Sequence, residues 1–525
     1  MSKRWGLGLS ILFIMAFIGQ THSPSIYSNN IKTMLGNPDI TIKEGSFDGY
    51  NLFVLERKFV SNWTTIDMNL LIVDMEGQVH YQRQIADGII LADYSAEFVN
   101  STTILFGDSS GANLWNIYTD EVEKLSVLGH HDYEMNMNNN SIFTLTSFLE
   151  EIESVEYRFD KIIEVDLTTG LKIWEVDTQS FISHNHYCPY LDSEEDIADL
   201  THSNTIIYDD QDDTIYLNCR NTNTFYKLDH KTGDLIWALG EYGDFDLFDI
   251  DGNQKDILFY HGHALEKISD DTFIYFDNDE HNQDNLLQHK SRIIEIQVDE
   301  VEKKAQIVWE WASPSKYFSA WWGDADKLPN NNRLGTFGTM YHEGSTAIGA
   351  RLVEVDNSGE IVWEMNFPKE GEIGYGVYSM DRIHFSPIIG INTTYWVKSG
   401  EEASVNWQAY NNFRNKYPLF GKYRVFLEGD LVDNDNVEFT RYWQPTDLDV
   451  NLGLLQDGEY NLTIQLEDDS NHIKTQFVNL TVSKYPPEET NRNDGFGILS
   501  TSYAFLFMIT FVIYSKKRKQ NFREK

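Results

Sequence analysis

Apolar and polar positions alternate along most of the chain in short runs, and no long window carries the 3.6-residue period of an amphipathic helix. Residues such as Ile162, Glu164 and Val165, or Phe225, Lys227 and Leu228, lead into a turn. An Asp and a Gly reverse the chain there, and the next strand ends on an aromatic residue.

This strand–turn–strand unit recurs. Asp74 to Tyr81 matches Asp356 to Trp363 in spacing, while Val165 to Trp174 and Leu228 to Trp237 carry one more turn residue. Thr119 to Leu125 and Val301 to Trp309 are degenerate copies. Six copies between 40 and 385 allow roughly 58 residues each, above the ~40–45 of a compact four-stranded propeller blade. Long polar loops, Asp177 to Thr201 and Gly240 to Asp256, take up the excess. A blade cannot bury both faces alone, so the pattern predicts an all-β chain with a six-bladed β-propeller over residues 40–385. Loops at one end of its channel would build a site.

Over 386–485 the repeat stops. Short alternating strands such as Val405, Trp407, Ala409 and Leu462, Ile464, Leu466 predict an immunoglobulin-like β-sandwich. With His472 as its lone histidine it reads as a spacer or adhesion domain. Residues 486–495 form a polar linker that begins Pro486-Pro487.

The two ends set the expected compartment. Lys3 and Arg4 followed by the apolar stretch Trp5 to Ile18 read as a signal peptide over 1–23. Residues 496–514 carry no charge and are long enough for a transmembrane helix. The basic tail 515–525 would then be cytoplasmic, leaving the main domains extracellular on a single-pass cell-membrane protein. Asn-x-Ser/Thr triplets at Asn62, Asn100, Asn139, Asn392, Asn461 and Asn479 suit export.

Composition narrows the chemistry. With 41 Lys plus Arg against 82 Asp plus Glu, the formal charge of −41 excludes nucleic acid as a partner. Two cysteines, Cys188 and Cys219, cannot make a four-thiolate zinc site, but could form one disulfide in an oxidising compartment.

Histidines gather near strand starts in the central blades: His130, His131, His184, His186, His202, His261 and His263. A hairpin from Asn204 to Leu217 would return Arg220 to the neighbourhood of His202. Imidazoles, the Asn204 amide and a guanidinium converging on a channel mouth suit a tetrahedral oxyanion. A neutral imidazole can act as a nucleophile and a protonated one as a general acid. A histidine-rich metal site is the second possibility, because His261 and His263 would share one strand face. The acidic run Asp244 to Asp256 does not have the spacing of a twelve-residue calcium loop and reads as a solvated loop.

The stretch from His202 to about Asp356 resembles the bacterial and archaeal arylsulfate sulfotransferases that use no nucleotide donor. The resemblance lies in His202-Ser-Asn204, Cys219-Arg220, Thr232-Gly233 to Gly240, His263-Ala264, Phe276-Asp277-Asn278, Ser291-Arg292 with Glu295, and Val308-Trp309-Glu310, with His130-His131-Asp132 upstream. It implies a six-bladed propeller and ping-pong transfer of a sulfuryl group from a phenolic sulfate donor to a phenol acceptor, with no cofactor and no metal. His263 matches the family nucleophile. His202, Asn204 and Arg220 match the residues that hold the sulfuryl oxygens and assist the leaving group, and His131, with His130 as its alternate, matches a further site histidine. Gly262 stands where the family usually has Gln, which keeps His261 open as an alternate nucleophile. Tyr187, Tyr260, Trp321 and Trp322 are candidates to stack on an aryl group.

Two other functions share parts of this pattern. An Asp-x-x-Thr-Gly-x-x-x-Trp repeat also occurs in quinone-cofactor dehydrogenase propellers, although six copies and no adjacent cysteine pair count against that. A non-catalytic, membrane-anchored surface propeller for binding or adhesion would equally use a sandwich and an anchor.

Overall fold

A computed structural model describes residues 35–486, apart from 63, 88–94, 187, 189–196, 283–288, 314–317 and 342–347. The expected signal peptide, transmembrane segment and basic tail lie outside the described residues, as do Tyr187 and all but the first residue of the linker. Among the described residues no helix is long and apolar enough to cross a membrane.

The chain is all-β. Six antiparallel sheets follow one another, each built on four strands. The first combines Tyr50–Phe59, Thr65–Asp74 and Val79–Asp87 with an innermost strand, Ile373–Ile383, from the far end of the repeat. The innermost strands of the next five are Ala96–Asn100, His130–Asn136, Ser203–Asp209, His263–Lys267 and Asp324–Lys327. Asp39–Ile42 adds an outer strand to the sixth sheet by pairing with Ile361–Phe367. The sheets touch in cyclic order, so both ends of the repeat are stitched into a ring, the arrangement of a β-propeller. Parts of the long polar loops become extra strands: Ile197–Asp199 on the third sheet, and Asp246–Phe248 with Gln254–Lys255 on the fifth.

The repeat seen in the sequence is the outermost hairpin of each sheet, and its chemistry explains its residues. The leading Asp or Asn accepts backbone N–H groups of its own turn. Asp74 takes Gln78 at 2.7 Å, Asp166 takes Thr169 at 2.7 Å, Asp229 takes Thr232 at 2.9 Å and Asp356 takes Ser358 at 2.8 Å. The turn glycine sits in the left-handed region, with φ of 85° at Gly77 and 74° at Gly233. In the degenerate copies Asp120 and Lys303 occupy that region instead, at 59° and 51°. Between the sheets lie fully buried side chains such as Trp237, Trp363, Phe225 and Tyr275.

Residues 388–483 form two further sheets, of three and five strands, closed over Val405, Trp407, Val425, Leu462, Ile464 and Val478. This unit does more than the sequence suggested. Its loop around Asn411 to Tyr417 enters the ring's channel. Lys416 Nζ lies 2.7 Å from Glu97 and 2.8 Å from Glu134, and Arg414 pairs with Glu266 and approaches Asp326 at 3.4 Å. Those carboxylates come from the innermost strands of the second, third, fifth and sixth sheets, so two cations neutralise an acidic ring that would otherwise repel itself. A cavity of about 40 Å³ remains between this plug and the opposite mouth, lined by Asp132, Asn204, Asp324, Tyr378, Arg414 and Lys416 among others.

Candidate active site

The innermost strands begin at one mouth of the channel, and the candidate residues sit at those beginnings. His130 and His131 open the third sheet, His202 immediately precedes the fourth, and His263 opens the fifth. Three of these approaches are bent into the left-handed region, with φ of 64° at His131, 42° at His202 and 52° at His261. Non-glycine residues there cost of order 1–3 kcal/mol each and persist where the surrounding fold over-determines them.

Register shifts accompany the bends. Pairing slips between Thr144 and Leu145 opposite His131-Asp132, between Ser203 and Thr205 at Asn204, between His263 and Glu266, and opposite Tyr378-Ser379. Such bulges turn a side chain away from simple strand alternation. They aim His131, Asn204 and Tyr378 toward the axis.

The hairpin expected from the sequence returns Arg220 to His202. Ser203 pairs with Cys219, and the Arg220 N–H donates to the His202 carbonyl at 3.2 Å. The Arg220 guanidinium is buried; it donates to Asn221 Oδ1 at 2.8 Å, to the Glu280 carboxylate, and to the Ala320 carbonyl at 3.4 Å. His202 Nδ1 is 2.6 Å from Asp199 Oδ2, and its ring meets that of His131 at 5.1 Å. His130 Nδ1 lies 2.7 Å from His131 Nδ1, and its Nε2 lies 3.3 Å from Asp160. Asn204 Nδ2 donates to the Gly262 carbonyl at 3.1 Å, and Asn218 does so at 3.0 Å, fixing the residue just before His263.

His263 is 2% exposed, and its Nδ1 lies 2.7 Å from Asn278 Oδ1. The Asn278 amide nitrogen donates to the carbonyls of Ser319 and Trp322, both at 2.8 Å. That fixes the amide orientation, since only its oxygen can then face the ring. An oxygen acceptor requires Nδ1–H, so Nε2 carries the lone pair. Burial, and then the charge of Arg220, hold His263 well below the ordinary imidazole range; the same two causes act on His261. Burial and the neighbouring His202 do this for His131. All three rings are therefore neutral at pH 7, the state a nucleophile needs.

His261 and His263 do not share a strand face. The strand begins at His263, and His261 precedes it with its ring turned toward His281, Nε2 to Nδ1 at 3.3 Å. The glycine between them is required by Tyr275, whose ring would lie 2.3 Å from an added Cβ. His184 and His186 do not join the group: His186 stacks on Tyr242 at 4.3 Å and His184 packs near Tyr157. Cys188 and Cys219 form no disulfide with each other; Cys188 Sγ lies 3.6 Å from His281 Nδ1, and Cys219 Sγ contacts Ser203 Oγ at 3.3 Å.

Tyr378 and Glu280 were not singled out by the sequence. Tyr378 packs edge-on against both His131 and His263, at 6.3 and 6.2 Å. It comes from the strand that closes the ring, more than a hundred positions beyond His263, so nothing local could announce it. Trp322 packs on Tyr378 at 6.0 Å, while Trp321 is exposed.

Comparison with known proteins gives one family. Residues 43–378 match the family described as Arylsulfotransferase (ASST). A search of curated proteins returns no match. Among solved structures, the chain is similar to the CARDB domain of a Pyrococcus furiosus protein in complex with di-metal ions, at 19% identity over 18% of this chain and 87% of that one, TM-score 0.15. It is also similar to hydrazine synthase of Kuenenia stuttgartiensis, at 10% identity over 59% and 74%, TM-score 0.31. Likeness at these scores carries no functional argument.

Proposed function

Because the chain belongs to the arylsulfotransferase family, we propose that it moves a sulfuryl group from a phenolic sulfate ester to an acceptor phenol by way of a sulfohistidine. His263 Nε2 attacks the sulfur, an N–S bond forms, and the bond from sulfur to the aryl oxygen breaks. His202 supplies a proton to the departing phenolate, and Asp199, 2.6 Å from its Nδ1, orients the ring. The positive charge that develops on the His263 ring is relieved through Nδ1–H toward Asn278. Arg220, Asn204 and His131 receive the sulfuryl oxygens, Arg220 through the fork that Glu280 holds in the free protein. The acceptor phenol then returns its proton to His202, attacks the sulfur and releases His263.

The same reading makes residues 40–385 a six-bladed catalytic propeller and 386–485 an immunoglobulin-like sandwich. Residues 1–23 direct export, and 496–514 anchor the chain with its main domains outside the cell. The observation that carries the reaction is the Asn278–His263 hydrogen bond, which commits the ring to the tautomer with its lone pair on Nε2.

The test is nitrophenol release from p-nitrophenyl sulfate in the presence of phenol, with no nucleotide sulfate added. The proposal expects release by the unaltered protein, its loss in His263→Ala, and a severe decrease in Arg220→Ala. Full activity in His263→Ala would move the nucleophile to His261, and no release by the unaltered protein would end the proposal.

A further inference from the structure

Beside the reaction centre is a second cluster that the transfer reaction does not use. Cys188 closes in from the long loop of the third sheet, His261 precedes the innermost strand of the fifth, and His281 follows that sheet's second strand. Cys188 Sγ lies 3.6 Å from His281 Nδ1, and His281 Nδ1 lies 3.3 Å from His261 Nε2. All three donor atoms fall within 4.8 Å of one another. His261 is 0% exposed and Cys188 7%.

Thiolate sulfur and imidazole nitrogen are ligand atoms that zinc prefers, and all three residues offer one into the same space. The spacing also has the right size. With Zn–N near 2.0–2.1 Å and Zn–S near 2.3 Å, a tetrahedral ion sets its ligands about 3.3 Å apart for two nitrogens and about 3.6 Å for sulfur and nitrogen. The His281–His261 and Cys188–His281 separations match these values, and the third, Cys188 to His261, lies within 4.8 Å. The His261 backbone, at φ 52°, is held by its N–H donating to Asn223 Oδ1 at 2.8 Å, which keeps the ring turned out of the strand and toward the cluster. The nearby Arg220 charge, unfavourable to a cation, is offset by its pairing with Glu280.

We propose that Cys188, His261 and His281 form a zinc site with one thiolate and two neutral imidazoles, leaving the fourth position for a water or another oxygen ligand. Binding releases one proton, from the Cys188 thiol, and involves no redox step. The ion ties Cys188 and His281 to the segment that carries His263. The inference stands on geometry and is independent of the transfer reaction.

The full chain is stripped with a chelator, dialysed against zinc chloride and assayed by elemental analysis. One zinc per chain is expected, and Cys188→Ser and His281→Gln should each weaken retention about tenfold or more, the loss typical of disturbing a zinc site. Cobalt(II) loaded in place of zinc into the unaltered chain should show a thiolate-to-metal charge-transfer band. Cys219 is engaged with Ser203, so that band would report Cys188. The spectrum does not depend on any variant folding. Absence of the band, failure to retain zinc, or retention undiminished in both variants would overturn the site.

Discussion

Lys416 offers the sharpest test of how the sandwich and the ring are joined. Its ammonium lies 2.7 Å from Glu97 and 2.8 Å from Glu134, with Glu134 only 1% exposed. Burial alone would pull Lys416 down, but Glu134, Glu97 and Asp132 overcome it and hold Lys416 well above its ordinary value. Burial pushes Glu134 up to about 8, so Lys416 is the member of the pair that stays charged. Lys416→Met keeps most of the side-chain volume and leaves two carboxylates facing each other without a cation. Removing one partner of a buried ion pair costs about 3–5 kcal/mol. At roughly 2.1 cal/mol/K of unfolding entropy per residue, a body of about 450 residues converts that to a fall in Tm of roughly 3–5 °C.

The pH dependence has a definite sign. Glu134 is raised above its unfolded value, so it binds its proton more tightly in the folded state, and stability falls as pH rises from the unfolded value through about 8. Without Lys416, which lowers Glu134 in the unaltered protein, Glu134 holds its proton still more tightly, so the loss should be small near pH 6 and keep growing as pH rises past 8. Differential scanning calorimetry across that range measures it. Lys422→Met serves as the control, since Lys422 pairs with Glu467 at 2.7 Å but is half exposed, and such pairs contribute about 0–1 kcal/mol. A Lys416 variant as stable at pH 9 as the control, or a loss that does not grow with pH, would refute the reasoning.

Three further outcomes follow from the site. Asn278→Asp places a carboxylate against His263 Nδ1 and favours the imidazolium, so the acid limb of kcat/KM should move to higher pH; an unmoved limb would detach His263 from the titration. Gly262→Ala drives a methyl into the Tyr275 ring and should destabilise the fold by about 1–3 kcal/mol in chemical denaturation, whereas a neutral result would mean that Tyr275 yields freely. Glu280→Gln removes the carboxylate that competes with a sulfate ester for Arg220, and should lower the donor KM severalfold in steady-state assays; a raised KM would make Glu280 part of the binding surface.

What the sequence made legible is governed by local chemistry. The outer hairpins could be read because each turn is closed by its own Asp or Asn and bent at a left-handed position, all within six residues. Arg220 could be placed beside His202 because a short hairpin leaves no other return. Tyr378 could not, since ring closure brings it to His131 from the opposite end of the repeat. The bulges at Asn204 and beside His131 interrupt the pairing, and alternation alone assigns those side chains to the wrong direction. His184 and His186 looked equivalent to the others because sequence proximity to a strand does not say which end of the loop bends inward. Nothing local marks Arg414 and Lys416, whose partners Glu266 and Glu134 lie more than a hundred positions away on inner strands of the ring.

The central claim is that His263 Nε2 takes the sulfuryl group. Mixing the protein with p-nitrophenyl sulfate without acceptor, quenching at alkaline pH and measuring intact mass should reveal an adduct of about 80 Da, the mass of one sulfuryl group on a covalent intermediate. Fragmentation should place it on His263, and added phenol should discharge it. Nitrophenol released with no adduct, or an adduct on any residue other than His263, would contradict the account.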